Sequence, residues 1–251
     1  MNSKSLRNLI LSVPILTFSA LPIYAGEQLS ENSQNGLVKK IHSEKISYSP
    51  LYFHGDRSKK RIALTFDDGP SKDAKDVIEV LRKYNARGTF FILGEKVEGN
   101  ENVLKSMIEY GFEIGNHSYS HPNLKKLKSK KLVRQQIKKT DEKLEEIKIL
   151  TKLFRPPYGS FDKSLLAITQ EMGKKVILWD VDSKDWKKPG IEKVAQEVLN
   201  YSENGSIIGL HDHNARNSEE KSDLVKILDK IIPELQSRGY ELVTVSELLN
   251  F

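Results

Sequence analysis

The sequence predicts an α/β chain: a parallel sheet curled into a distorted (β/α)7-type barrel, resembling a TIM barrel in plan. Three observations predict it. Short apolar, β-branched runs alternate with amphipathic helical stretches about seven times in about 190 residues, the pattern of strands joined by crossover helices. A full eightfold barrel takes about 250 residues, so a smaller or distorted one fits the length. Reactive side chains follow directly after five of the strand-like runs, on the face where parallel barrels build their sites. An open, doubly wound sheet is the alternative with the same alternation.

The elements follow in order from residue 61. Residues 62–66 (Ile-Ala-Leu-Thr-Phe) read as a buried strand, ended by Gly69-Pro70. Residues 73–84 place Val77, Ile78, Val80 and Leu81 on one helical side. Residues 88–93 are strand-like; 102–110 are helical and stop at Gly111, a suitable cap. A short strand at 112–115 precedes a long amphipathic helix at 129–147. Strands at 152–155, 176–179 and 206–210 alternate with helices at 163–172 and 191–201. Residues 219–238 form a helix with Pro233 as a point of kinking. A strand at 240–245 and a short helix at 245–249 complete the chain.

The N-terminus reads differently. Lys4 and Arg7 precede a mostly apolar stretch, residues 9–24, and Ala25-Gly26 offers a small-residue cleavage point. This is the pattern of a secretory signal peptide at 1–25. Pro14 and Pro22 interrupt the stretch and it is short for a bilayer span, so no stable membrane anchor is expected after cleavage. Residues 26–59 form a polar stem and N-terminal packing segment, with His42 and His54 solvated. Residues 60–251 are expected to form the main domain, which its strand exits mark as catalytic. Removing Lys4 and Arg7 lowers the formal charge from +6 to +4, suited to anionic surfaces such as cell-wall polymers. The lysines are scattered over amphipathic helices without interleaved aromatics, which argues against nucleic acid. The chain has no cysteine, which excludes disulfides, thiolate metal sites, a cysteine nucleophile and a lipidated cysteine.

The strand exits carry the chemistry. They are Asp67-Asp68-Gly69-Pro70, the stretch from Asn116 to His121, Arg155-Pro156-Pro157-Tyr158, the stretch from Asp180 to Trp186, and His211-Asp212-His213. Two imidazoles and one carboxylate make an open catalytic zinc site, and His117 and His121 are the candidate pair. One of Asp67 and Asp68 completes it; the other is then available as a base for water. Residue types alone do not separate the two. Arg155 suits a carboxylate partner because its fork stays charged. Pro156-Pro157 stiffens the backbone that presents the Tyr158 amide as an oxyanion donor. His211, ending an apolar strand on the same rim, suits a general acid, oriented by a carboxylate among residues 182–185. Trp186 offers an apolar wall to a sugar ring. His213 is a rim residue without a role. The lysines from Lys125 to Lys131 read as a solvated helix entry, or as a contact for anionic polymer.

Taken together these motifs resemble the polysaccharide deacetylase family, the NodB-homology group of carbohydrate esterase family 4. The likeness covers about residues 60–250 and rests on five motifs in fixed order. It implies a distorted barrel and one divalent metal, usually zinc, with Co2+, Ni2+ or Fe2+ also suited to the ligands. By resemblance, Asp67 is the catalytic base, and Asp68, His117 and His121 are the metal ligands. Arg155 positions the base, the Tyr158 amide holds the oxyanion, and His211 is the general acid. Asp185, rather than Asp182, is expected to tune His211; Tyr158 and Trp186 face the substrate.

The implied activity is hydrolysis of N-acetyl groups on an N-acetylglucosamine-containing polysaccharide, peptidoglycan foremost, by a secreted, periplasmic or cell-wall-associated enzyme. Chitooligosaccharide, other exopolysaccharides and acetyl-xylan are the alternative substrates. A glycan-binding module without catalysis is the alternative class. A two-metal phosphoesterase would need more acidic ligands.

Overall fold

Nine strands and seven α-helices alternate along residues 50–212 and 223–251, the residues that this computed structural model describes. The predicted signal peptide, most of the stem, His213 and the first residues of the predicted 219–238 helix lie outside them.

The helices form where the sequence supplies an apolar stripe and a terminus. They are α1 (Ala74–Lys83), α2 (Glu101–Glu109), α3 (Lys130–Glu146), α4 (Lys163–Glu171), α5 (Ile191–Tyr201), α6 (Leu224–Ser237) and α7 (Val245–Leu249). Ser129 caps α3 by accepting from the Leu132 amide at 3.3 Å, and Asp162 caps α4 through Leu165 at 2.8 Å. Thr244 and Glu247 form a reciprocal capping box at α7. Helix α6 runs through Pro233 as one element.

The strands are β1 (Leu51–Tyr52), β2 (Arg61–Gly69), β3 (Gly88–Ile92), β4 (Glu113–Asn116), β5 (Leu153–Phe154), β6 (Lys175–Ile177), β7 (Val181–Asp182), β8 (Ile207–His211) and β9 (Glu241–Leu242). Their order is β1-β6-β5-β4-β3-β2-β8-β7, with β9 added beside the start of β2, and every ladder is parallel. From β2 to β6 each strand lies beside its predecessor. Such single winding curls a sheet, whereas a doubly wound sheet reverses at its centre. The sheet is thus a distorted barrel. Residues after β1 help close it at the base: His54 bridges Ser206, and the Gly55 amide donates to Gly205 O at 2.7 Å. His54 is therefore half-buried in this seam rather than solvated in a stem.

Strand parity explains what the barrel points inward. On β2, Ile62, Leu64 and Phe66 join the large core shared with α1, α2, α5 and α6, whereas Ala63 joins the interior cluster with Phe91, Leu153, Ile177 and Ile207. Side chains alternate along a strand, so Ala63, Thr65 and Asp67 form one inward column. The same count puts His117 inward two positions after Gly115, Arg155 two after Leu153, and His211 four after Ile207. Val245 and Leu248 of α7 belong to the interior cluster and plug the base. The open end is left to polar groups.

Candidate active site

Asp68 breaks the parity of β2. A regular strand would turn it toward the helices. Instead the register to β3 shifts between Asp67 and Gly69, and Asp68 adopts a positive φ of 69°. This is a β-bulge: an extra residue on one strand re-aims a side chain, and aspartate tolerates the left-handed region better than most residues. The strand expected at 62–66 is longer in the structure, since β2 runs from Arg61 through both acids to Gly69. The bulge brings the Asp68 carboxylate to the rim that Asp67 already reaches by strand parity.

Two clamps hold it. Lys96 Nζ donates to Asp68 O at 2.7 Å. On the other side the Asp212 amide donates to Asp67 O at 2.9 Å, and the Asp212 carboxylate accepts from the Ser71 amide and hydroxyl at 2.9 and 2.8 Å. A Cβ on Gly69 would stand 2.5 Å from Asp212 Oδ2, so this position needs glycine. Burial pushes the Asp212 carboxyl up to about 6.

The two acids then diverge. Asp67 Oδ1 accepts from Arg155 Nη1 at 2.7 Å. The fully buried guanidinium also donates from Nη1 to Thr65 Oγ1 (2.7 Å), from Nε to Ile177 O (3.2 Å) and from Nη2 to Leu178 O (3.0 Å), and it lies 4.1 Å over the Phe91 ring. Burial pushes the Asp67 carboxyl up, but Arg155 first, with the His117 and His211 imidazoles beside it, outweighs burial and holds the carboxyl below its usual value. Asp68 Oδ1 is buried without any hydrogen-bond partner. It lies 3.5 Å from His117 Nε2 and 3.3 Å from His121 Nε2.

An orphaned buried carboxylate oxygen facing two ring nitrogens fits a cation. Ligand atoms about 2.0–2.1 Å from a tetrahedral zinc stand roughly 3.3–3.4 Å apart, close to these spacings. Asp68, His117 and His121 form the one such three-ligand cluster among the described residues. His117 Nδ1 is 2.8 Å from Arg155 O; a carbonyl only accepts, so the proton sits on Nδ1 and Nε2 offers its lone pair. Burial, then the neighbouring His117, lowers His121 to about 4, leaving it neutral at pH 7.

The histidine loop is tied to α3, a feature the sequence reading does not contain. Gln136 Oε1 accepts from the Tyr119 and Ser120 amides, both at 3.0 Å. Asn116 Nδ2 donates to Ile137 O and Asp141 Oδ1, both at 2.8 Å, while its Oδ1 accepts from the Ser118 amide at 2.8 Å. Ser118 and His121 both have positive φ, so the loop needs such external fixing. Lys96, also absent from that reading, sits at the one early strand exit to which it assigns no chemistry.

Across the rim, His211 Nδ1 lies 2.7 Å from Asp185 Oδ1, and Asp185 Oδ2 accepts from the His211 amide at 2.8 Å. Burial pulls the His211 imidazole down, but Asp185 and the two acids of β2 prevail and push it up to about 10. Asp182 instead accepts from the Lys184 amide at 2.9 Å. Tyr158 has φ 60°, in the turn Pro157–Gly159, and its ring centroid lies 4.6 Å from that of His121. Tyr158 and Trp186 are 54% and 48% exposed, leaving two aromatic faces at the rim. The structure thus groups Asp67, Asp68, His117, His121, Arg155, Tyr158, Asp185 and His211 at one barrel end, with Trp186 beside Asp185.

Comparison with known proteins agrees with this geometry. The polysaccharide deacetylase family model matches residues 54–177. A peptidoglycan-N-acetylglucosamine deacetylase of Bacillus cereus is 37% identical over 235 residues, spanning 93% of this chain and 83% of its own. The chain belongs to the polysaccharide deacetylase family. The crystal structure of a peptidoglycan N-acetylglucosamine deacetylase, in complex with an N-hydroxybenzamide compound, superposes with a TM-score of 0.77 at 34% identity. It covers 85% of this chain and 97% of that one. The peptidoglycan-N-acetylmuramic acid deacetylase PdaC of Bacillus subtilis is 38% identical over 195 residues, 77% of this chain and 39% of PdaC. Like its family, this deacetylase is a hydrolase of N-acetyl amides on polysaccharide, carried on a curled parallel α/β sheet.

Proposed function

We propose that this deacetylase is a secreted, metal-dependent enzyme that removes N-acetyl groups from N-acetylglucosamine units of peptidoglycan at the cell wall. The similarity to the Bacillus cereus deacetylases supports the substrate. The observation that carries the mechanism is the divergence of Asp67 and Asp68: one carboxylate is paired through Oδ1 with a permanent cation, while its neighbour has an orphaned oxygen facing two imidazoles.

Asp68, His117 and His121 hold one divalent metal, zinc by donor type, which when bound acts as a Lewis acid toward water and the acetyl carbonyl. Asp67 takes a proton from the attacking water; Arg155 keeps it ionised and aimed. Water oxygen bonds to the acetyl carbon, and the developing oxyanion accepts from the Tyr158 amide. His211, kept protonated by Asp185, gives its proton to the nitrogen as the carbon–nitrogen bond breaks. Acetate and a free amino sugar leave. Trp186 and the Tyr158 ring line the rim as faces for sugar rings. The 1–25 leader and the 60–251 catalytic domain are part of this reading.

The test is acetate release from peptidoglycan, chitooligosaccharide and acetyl-xylan, with and without a chelator. Chelator-sensitive release, highest on peptidoglycan, is the expected result. Higher release from acetyl-xylan would overturn the substrate, and no release from any of them at full metal loading would favour a binding module. Similarity to PdaC makes N-acetylmuramic acid the specific second substrate, and the sugar that carries the new amine distinguishes the two.

A further inference from the structure

Residues 122–140, directly after His121, carry eight basic side chains and no acidic one. The whole chain is formally +6, so everything outside this stretch sums to −2. Three of the eight are engaged. Arg134 pairs with Glu171, Lys138 Nζ lies 2.7 Å from Glu142 Oε1, and Lys139 Nζ sits 3.6 Å over the Tyr119 ring. The remaining five, Lys125, Lys126, Lys128, Lys130 and Lys131, are exposed, and none pairs with a carboxylate among the described residues. Like charges at such spacing repel, so fold stability gives no reason to collect them here.

The patch is rigidly connected to the site. Leu124 is buried with Val133, Ile137 and Phe154, which pins the turn that carries Lys125 and Lys126. Asn123 accepts from the Lys125 amide at 3.2 Å, and Ser129 caps α3. Gln136, on the same helix, holds the amides of the histidine loop. The backbone that carries the five lysines is therefore held at a fixed offset from the candidate metal ligands.

We propose that this lip is a docking surface for a phosphodiester polyanion of the wall, which holds the enzyme while the rim acts on glycan. Charge complementarity points to the partner. Lysine binds phosphate as a point charge, with no need for a bidentate fit, and five separated ammoniums match a polymer with a charge on every repeat. The attraction is between exposed charges and so is salt-sensitive, the screening length being about 10 Å at 0.1 M. Tethering raises the local concentration of glycan at the rim.

The experiment measures binding of the full chain to soluble poly(glycerol phosphate), and its co-sedimentation with peptidoglycan before and after extraction of phosphodiester polymer. Wild type is compared with K125Q/K126Q/K128Q/K130Q/K131Q and with the milder K126Q/K131Q, each checked for fold by circular dichroism. Expected are binding lost between about 0.05 and 0.3 M salt, affinity lowered about tenfold or more in the fivefold variant, and unchanged acetate release from a short soluble N-acetylated oligosaccharide. Equal binding by a folded fivefold variant would overturn the proposal. So would equal co-sedimentation with extracted peptidoglycan, or equal competition by polyglutamate. Binding is read without acetate release, so loss of the peptidoglycan reading would leave this result standing.

Discussion

Asp67 and Asp68 share a peptide bond and little else. Asp67 sits in the inward column of β2, its Oδ1 accepting from a guanidinium that also donates to Thr65, Ile177 O and Leu178 O. Asp68 sits on a bulge, buried, with Oδ1 accepting from nothing. A carboxylate paired with a buried guanidinium is held ionised and aimed; a buried carboxylate oxygen with no partner costs free energy unless a ligand supplies one. The difference teaches that the pair is divided by backbone geometry rather than by residue type.

The largest effect falls on chemistry. Asp67→Asn keeps shape but not basicity, so acetate release drops by about 10²–10⁴-fold. Retention of most activity would end the assignment of Asp67 as base. Next comes the cation. Arg155→Met leaves a buried Asp67 charge unpaired, and a denaturant titration should show a loss of about 3–5 kcal/mol. Adding Asp67→Asn to that variant should restore part of it; strict additivity would mean that the two side chains are not coupled. A smaller effect belongs to the helix clamp. Gln136→Ala frees the Tyr119 and Ser120 amides, and zinc affinity measured by chelator competition should weaken by about tenfold. An unchanged affinity would show that α3 does not set the ligand geometry.

The smallest effect is a pH trend. His211, raised to about 10 from 6.5, contributes stability that is complete below pH 6.5 and is lost as pH rises through about 10. In metal-free protein the Tm advantage of wild type over Asp185→Asn should therefore narrow steadily between pH 7 and 10. A constant gap would contradict the pairing as the source of the shift.

Much of the barrel was legible because β2, β3 and β8 are apolar runs with clear flanks, and because the exit motifs follow strands of consistent parity. The short β1 and β7 were not; Leu51–Tyr52 follows a polar stretch, and Val181–Asp182 lies among acids and reads as loop. The residues of the candidate site were legible by type and order. Its geometry was not. Nothing in Thr-Phe-Asp-Asp-Gly announces a positive φ at Asp68, because the bulge is enforced from afar by Lys96 and Asp212. Asn116 and Gln136 look like ordinary polar residues until the fold brings α3 against the histidine loop. The choice of Asp185 over Asp182 is likewise a matter of which carboxylate the turn after β7 swings onto β8.

The most direct test of the division between the two acids is zinc binding by Asp67→Asn and Asp68→Asn, measured side by side with a competing chromogenic chelator. Asp67→Asn should bind one zinc per chain with nearly wild-type affinity while releasing almost no acetate. Asp68→Asn should lose zinc affinity by at least about tenfold, having replaced a charged ligand. Equal zinc affinity in the two variants, or zinc loss in Asp67→Asn alone, would contradict the account.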